Sequence, residues 1–215
     1  MSPNSFPNNY TFGVHHYRHL LDIFYKHFCY DGRFVLIGDI TRSPFSDIVQ
    51  RQLKTDTIIQ RNAFLSYGVE EKVVAWPASD QPHEAFFLET RSCTNAGRES
   101  DGWMKTCQAD VLLYAFEIKD VGLLLFLFPF PRLKQWFWNS YLPHLPRPDT
   151  GRSVMCDENR TEGYVVARML LIKAVPTRCF LITFDGEYHE VKPDLDIRLL
   201  RERFLDRKPR SDEGI

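Results

Sequence analysis

The chain has 215 residues, of which 44% are hydrophobic and 26% charged, with a formal net charge of -1. This length supports one domain with a sizeable core, or one domain plus an appendage. The near-neutral balance excludes a global pull towards nucleic acid or an anionic membrane, and leaves room for a local basic surface.

Residues 1–12 are rich in Pro and Asn and are expected to form a flexible arm. They lack the basic start and apolar centre of a signal peptide. Residues 14–29 place Val14, Leu20, Leu21, Phe24 and Phe28 at helical spacing, which predicts an amphipathic helix. Residues 31–40 read as a turn and a short strand. Residues 41–54 carry Phe45, Ile48, Val49 and Leu53 in a helical stripe after a Ser-Pro start, which predicts a second helix.

Residues 55–74 hold two strand-like runs, Thr57-Ile58-Ile59 and Tyr67 to Val74, and residues 83–92 read as another strand. Residues 93–102 are rich in Gly, Ser and charge, the composition of an exposed loop. Residues 109–118 and 121–130 are apolar runs joined by Lys119-Asp120, read as two strands and a tight turn. The first also fits a buried helix, because periodicity does not separate short apolar runs. The second is too short to span a bilayer.

Residues 131–142 start with Pro and read as a helix. Residues 142–153 form a long loop, 163–175 and 178–184 are apolar again, Asp185-Gly186 marks a hairpin turn, and 194–208 read as a charged helix. The order predicts an α/β fold with a mixed sheet of about five strands flanked by helices. Residues 13–142 are expected to form the core, 143–208 an extension packed on it, and 209–215 a disordered tail. The five cysteines are widely spaced without a Cys-x-x-Cys pair, which argues against a disulfide framework or a zinc knuckle. A cytoplasmic protein without a membrane segment is the expectation.

The two strand-like runs within 55–74 are each interrupted by charge, one by Asp56 and the other by Glu70-Glu71-Lys72. Side chains alternate across a strand, so Glu70, Lys72 and Val74 share one face, and Val69, Glu71 and Val73 share the other. Glu70 and Lys72 then project side by side, about 7 Å apart along the strand. If the Asp56 strand pairs alongside, its carboxylate approaches Glu70, and two close carboxylates repel unless a cation separates them. Oxygen donors suit Mg²⁺ or Mn²⁺, and a neighbouring lysine orients a water or stabilises charge on a phosphate. Glu-x-Lys occurs three times, at 70–72, 117–119 and 190–192. Only the first lies in an extended strand preceded by an aspartate-bearing strand. The plain counter-reading is a surface ion-pair ladder on an edge strand. His15, His16 and His19 offer helical metal-pair spacing, but a solvated helix face is the simpler reading.

Taken in order, Asp-Ile-Val-Gln-Arg-Gln, the Asp56 strand, Glu70-Glu71-Lys72, Phe-Phe-Leu-Glu-Thr-Arg-Ser, Asp-Gly-Trp and Ala-Asp-Val-Leu-Leu-Tyr resemble the PD-(D/E)XK nuclease superfamily. More narrowly, the order resembles phage and bacterial restriction-endonuclease-like proteins, over roughly residues 44–138. The resemblance implies a central mixed sheet flanked by helices. It implies Asp56 and Glu70 as metal-binding acids, the Glu71 backbone carbonyl as a further ligand, and Lys72 as the catalytic lysine. Glu89, Asp110 and Tyr114 match recurrent accessory positions. Two departures stand out: Glu71 occupies a position where apolar residues are commoner, and Thr55 precedes Asp56 where Pro is frequent.

The function this implies is Mg²⁺- or Mn²⁺-dependent hydrolysis of phosphodiester bonds, in DNA rather than RNA. Arg91, Arg98, Trp103 and Lys105 are candidate nucleic-acid contacts, with Trp103 either stacking on a base or anchoring its loop. Arg132 and Lys134 extend that candidate rim. The alternative is a catalytically inactive nuclease-like module that binds a protein partner, as an inhibitor or adaptor in phage–host or mobile-element conflict. A homodimer is compatible with either reading. A third reading makes 70–72 a structural ion-pair ladder, which joint replacement of Glu70 and Lys72 by Thr would leave without effect.

Overall fold

A computed structural model describes residues 17–30, 35–39, 56–62, 65–77, 80–93, 99–146, 152–155 and 161–206. The expected arm at 1–12, the helix at 41–54, the tail at 209–215, His15, His16 and Arg98 lie outside these residues.

Helix α1 (Arg18–Tyr30) is the first described element. It buries Leu20, Leu21, Phe24 and Tyr25, with Tyr17 just before it, along one stripe at three- and four-residue spacing. Strands β1 (Val35–Asp39), β2 (Thr57–Asn62) and β3 (Leu65–Val74) form an antiparallel meander. Strands β6 (Val111–Ile118) and β7 (Gly122–Pro129) form the expected hairpin, which resolves the helix-or-strand ambiguity of 109–118 in favour of a strand. Asp120 takes a positive φ of 65° in its turn. Strands β10 (Arg178–Thr183) and β11 (Tyr188–Val191) form a second hairpin, with Gly186 at φ 91°. That left-handed conformation suits glycine.

These seven strands make one sheet in the order β1-β2-β3-β6-β7-β10-β11. Every pairing is antiparallel except β3 with β6. The sheet is therefore mixed, as expected, but has seven strands rather than five. The last two come from beyond residue 150.

A parallel pair needs a long crossover. Here the crossover from β3 to β6 contains β4 (Ala85–Cys93), β5 (Glu99–Asp101) and the single-turn helix α2 (Trp103–Thr106). The strand at 83–92 does not join the main sheet. It builds a second, four-stranded sheet in the order β5-β4-β9-β8, with β8 (Arg152–Met155) and β9 (Thr161–Ala167). Sequence periodicity marks a strand but not its partner, and this one pairs with β9 over seven registered positions.

Two cores follow from alternation in the main sheet. Val69, Val73, Leu113, Ala115, Leu123, Leu125, Phe180 and Ile182 pack beneath α1. Leu112, Tyr114, Phe116, Leu124, Phe126 and Phe128 face the opposite way, towards Phe86 and Leu88 of β4. Phe86 meets the rings of Tyr114, Phe116, Phe126 and Phe128 at centroid distances of 5.0, 5.2, 5.3 and 5.3 Å. Rings at this spacing add to the area they bury, by about 0.5–1.5 kcal/mol per pair.

Helix α3 (Phe130–Trp136) continues as a π-helical turn (Phe137–Tyr141) and a 3-10 turn (Leu142–His144). It follows β7 directly and buries Phe130, Leu133 and Phe137 in this second core. Helices α4 (Arg168–Ala174) and α5 (Ile197–Leu205) contribute Leu171 and Ile197 to it. Among the described residues, no helix is long and apolar enough to cross a membrane.

Candidate functional site

The site lies where β2 stops short of β3. The last ladder pair is Thr57 with Val69, and the Asp56 amide closes it by donating to the Val69 carbonyl at 2.9 Å. Two residues further along β3, the Glu71 amide donates to Asp56 Oδ2 at 2.8 Å. Asp56 thus takes over a backbone donor that β2 no longer reaches. A strand residue directs its N–H and C=O to the same edge, so the Glu71 carbonyl shares that edge with Asp56.

Alternation along β3 separates its charges as expected. Glu70 and Lys72 project towards the second sheet, beside Leu112 and Tyr114, which are their registered neighbours on β6. The Lys72 ammonium forms an ion pair with Glu70 Oε1. The Cys107 thiol donates to Glu70 Oε2 at 3.5 Å. Beneath the lysine, the Trp103 ring centroid lies 5.6 Å from Nζ, within cation–π range. The two charged side chains are 20% (Lys72) and 11% (Glu70) exposed, so they are sheltered but reachable.

Burial, with the negative charge of Glu70, pushes the Asp56 carboxyl up to about 7, against the opposing pull of Lys72 and the Glu71 amide. Burial alone would lower the Lys72 ammonium, but Glu70, Asp56 and Glu89 outweigh it and hold its pKa above the ordinary lysine range. Burial, then Glu70, pushes the Cys107 thiol up to about 12, which keeps it a neutral donor.

The accessory residues frame this pair. Glu89 on β4 is half-buried and acts electrostatically on Lys72. Gly102 explains the Gly-Trp sequence, because a Cβ there would lie 2.8 Å from Glu89 Cγ, the Glu89 carbonyl and the Arg91 amide. Only glycine permits the chain to pass so close and still deliver Trp103 under Lys72. Tyr114 is fully buried, and its hydroxyl accepts from the Phe87 amide at 3.2 Å, which ties β6 to β4. Asp110 Oδ2 accepts from the Gly68 amide at 2.9 Å and its own amide donates to the Gly68 carbonyl, so it clamps the start of the β3–β6 pairing. Both residues hold the scaffold around the charges.

Glu71 faces the other way, as alternation predicts, and its carboxylate is fully buried. Arg18 Nη1, the Tyr25 hydroxyl and the Thr57 hydroxyl each donate to it at 2.7 Å. Burial and the Glu71 charge hold the Tyr25 phenol protonated. The same residue therefore anchors Asp56 through its backbone and α1 through its side chain. Arg18, Tyr25, Thr57 and Cys107 are not among the residues expected from the sequence. Alternation already placed Glu71 with two valines, and a buried carboxylate requires donors. Cys107 follows Trp103 by one helical turn, which was the available signal.

The candidate nucleic-acid contacts divide. Trp103 is buried and packs against Phe130, with ring centroids 5.7 Å apart. It anchors its loop, which was one of its two expected roles. Arg91 is exposed, and Lys105 pairs with Asp101 at 2.6 Å on the surface. Lys134 donates to the Cys107 carbonyl and lies over the Phe130 ring at 4.7 Å. Of the other two Glu-x-Lys sequences, Glu190 pairs with Arg178 on the surface. Glu117 accepts from the Trp76 amide at 2.7 Å. His19 is exposed.

Among the described residues, no group of three or more His, Cys, Asp or Glu side chains is arranged to hold a metal ion. The oxygen donors at the site are the Asp56 and Glu70 carboxylates and the Glu71 carbonyl. Glu70, Asp56 and Glu89 each act electrostatically on the Lys72 ammonium, and Glu70 is in direct contact with it. Oxygen donors of this kind are the ligand type that hard divalent cations such as Mg²⁺ or Mn²⁺ take. No protein-family model, curated protein or solved structure matches the chain.

Proposed function

We propose that the chain is a metal-dependent nuclease that hydrolyses phosphodiester bonds, with DNA as the substrate. The observation that carries this reading is the meeting of Asp56, immediately before β2, with Glu70 and Lys72 of β3. Asp56, Glu70 and the Glu71 carbonyl would hold Mg²⁺ or Mn²⁺. When bound, such an ion supplies Lewis-acid stabilisation of phosphate charge and a more acidic water. Lys72, held protonated by its carboxylate neighbours, supplies a positive charge for the phosphate and a donor that orients the attacking water. Asp56 and Glu70 carry a repulsion that a cation relieves, so ion binding and site assembly are linked.

The second reading is the inactive binding module. One observation favours it: both Glu70 oxygens already have partners, Lys72 and Cys107. In that reading the charges satisfy one another and the fold serves recognition.

Calorimetric titration with Mn²⁺, alongside nicking of supercoiled plasmid, separates the two. The nuclease reading requires Mn²⁺ binding that Asp56→Asn abolishes, and cutting that Lys72→Ala abolishes with the circular dichroism spectrum unchanged. A wild-type chain that neither binds Mn²⁺ nor cuts DNA selects the binding module.

A further inference from the structure

We propose that Cys107 is a positioning residue for the reaction: its thiol fixes Glu70, so that the carboxylate presents Oε1 to Lys72. The inference rests on the nuclease reading above. The thiol has a defined direction. The Ala109 amide donates to Cys107 Sγ at 3.4 Å and occupies a sulfur lone pair. The S–H bond then points to Glu70 Oε2, 3.5 Å away.

The sulfur is itself held in place. Helix α2 is a single turn, and the Cys107 amide donates to the Trp103 carbonyl at 3.0 Å. Lys134 of α3 donates to the Cys107 carbonyl. Trp103 at the other end of the turn lies under the Lys72 ammonium. One turn of helix thus supports both members of the Glu70–Lys72 pair, the ring under the cation and the thiol against the anion. Groups that orient a ligating carboxylate in this way commonly change metal affinity or activity by roughly 10- to 100-fold when removed.

The test compares wild type with Cys107→Ala and Cys107→Ser. Serine keeps a donor at nearly the same volume, whereas alanine removes it. Cys107→Ala is expected to lose about tenfold or more in kcat and in Mn²⁺ affinity by calorimetry, with KM for DNA unchanged, and Cys107→Ser to recover most of both. An alanine variant that equals wild type in kcat and Mn²⁺ affinity overturns the role. The S–H stretching band, isolated by subtracting the Cys107→Ala infrared spectrum, reads the contact without activity. It should sit at the low frequency of a hydrogen-bonded thiol and shift upward in Glu70→Gln. A band that ignores Glu70→Gln overturns the inference even if the protein is a nuclease. A chain with the shifted band but neither cleavage nor Mn²⁺ binding keeps the contact and overturns the nuclease reading, and with it the role in catalysis.

Discussion

Glu70 and Glu71 are adjacent on one strand, yet they live in opposite environments. Glu71 is fully enclosed under α1 and receives three hydrogen bonds of 2.7 Å from Arg18, Tyr25 and Thr57. Glu70 is buried but for a small part of its side chain, pairs with a lysine, accepts from a thiol and destabilises a second carboxylate. The first arrangement saturates its acceptor and holds two layers together. The second leaves charge in tension at an accessible place. Side-chain alternation alone puts the two carboxylates on opposite faces of the strand.

The largest effect on stability is expected on the enclosed face. Glu71→Ala removes the buried anion of Arg18, leaving it the half-exposed Asp22 at 3.3 Å, and removes the shared acceptor of Tyr25 and Thr57. Loss of one member of such a buried pair costs about 3–5 kcal/mol, which urea unfolding would read directly. Glu70→Ala, at the accessible pair, should cost markedly less stability.

Asp56 should make the stability of the fold depend on pH. Asp56 in the folded chain keeps its proton up to about 7, against an ordinary value of 3.8. Between these values the folded state binds more protons than the unfolded state, so this residue's contribution to stability falls as pH rises. The difference in melting temperature between Asp56→Asn and wild type should therefore grow in favour of the variant as pH rises from about 4 to about 7 without metal. Added Mn²⁺ should reverse the order, stabilising wild type and not the variant. A variant uniformly less stable than wild type across that range would contradict the raised carboxyl.

Smaller effects sharpen the boundary of the site. Gly102→Ala forces a Cβ against Glu89 and the Arg91 amide, and overpacking of this kind costs about 1–3 kcal/mol. It should also weaken cleavage, because Trp103 and Cys107 follow in the same turn. Lys105→Ala removes an exposed pair with Asp101 four residues away. That change should stay within about 0.5 kcal/mol in denaturant titration.

Much of this site was legible in the sequence. Period-two alternation assigned Glu70 and Lys72 to one face and Glu71 to the other, and the turn residues located both hairpins. The strand containing Glu89 was legible as a strand, but its sheet was not, because pairing between β4 and β9 joins segments far apart in the chain. For the same reason, nothing local marked Arg18 and Tyr25 as the partners of Glu71. Trp103 shows the limit from the other side. A tryptophan next to glycine in a charged loop fits a base-stacking platform or a buried anchor equally well, and only the packing of Phe130 and Lys72 around it decides.

The central claim is that the Glu70 face of β3 carries chemistry and the Glu71 face carries structure. The most direct test is nicking of supercoiled plasmid in Mn²⁺ by wild type, Lys72→Ala and Glu71→Gln, each at a temperature where circular dichroism shows it folded. The account predicts cutting by wild type and Glu71→Gln, and none by Lys72→Ala. Equal cutting by Lys72→Ala and wild type would contradict it.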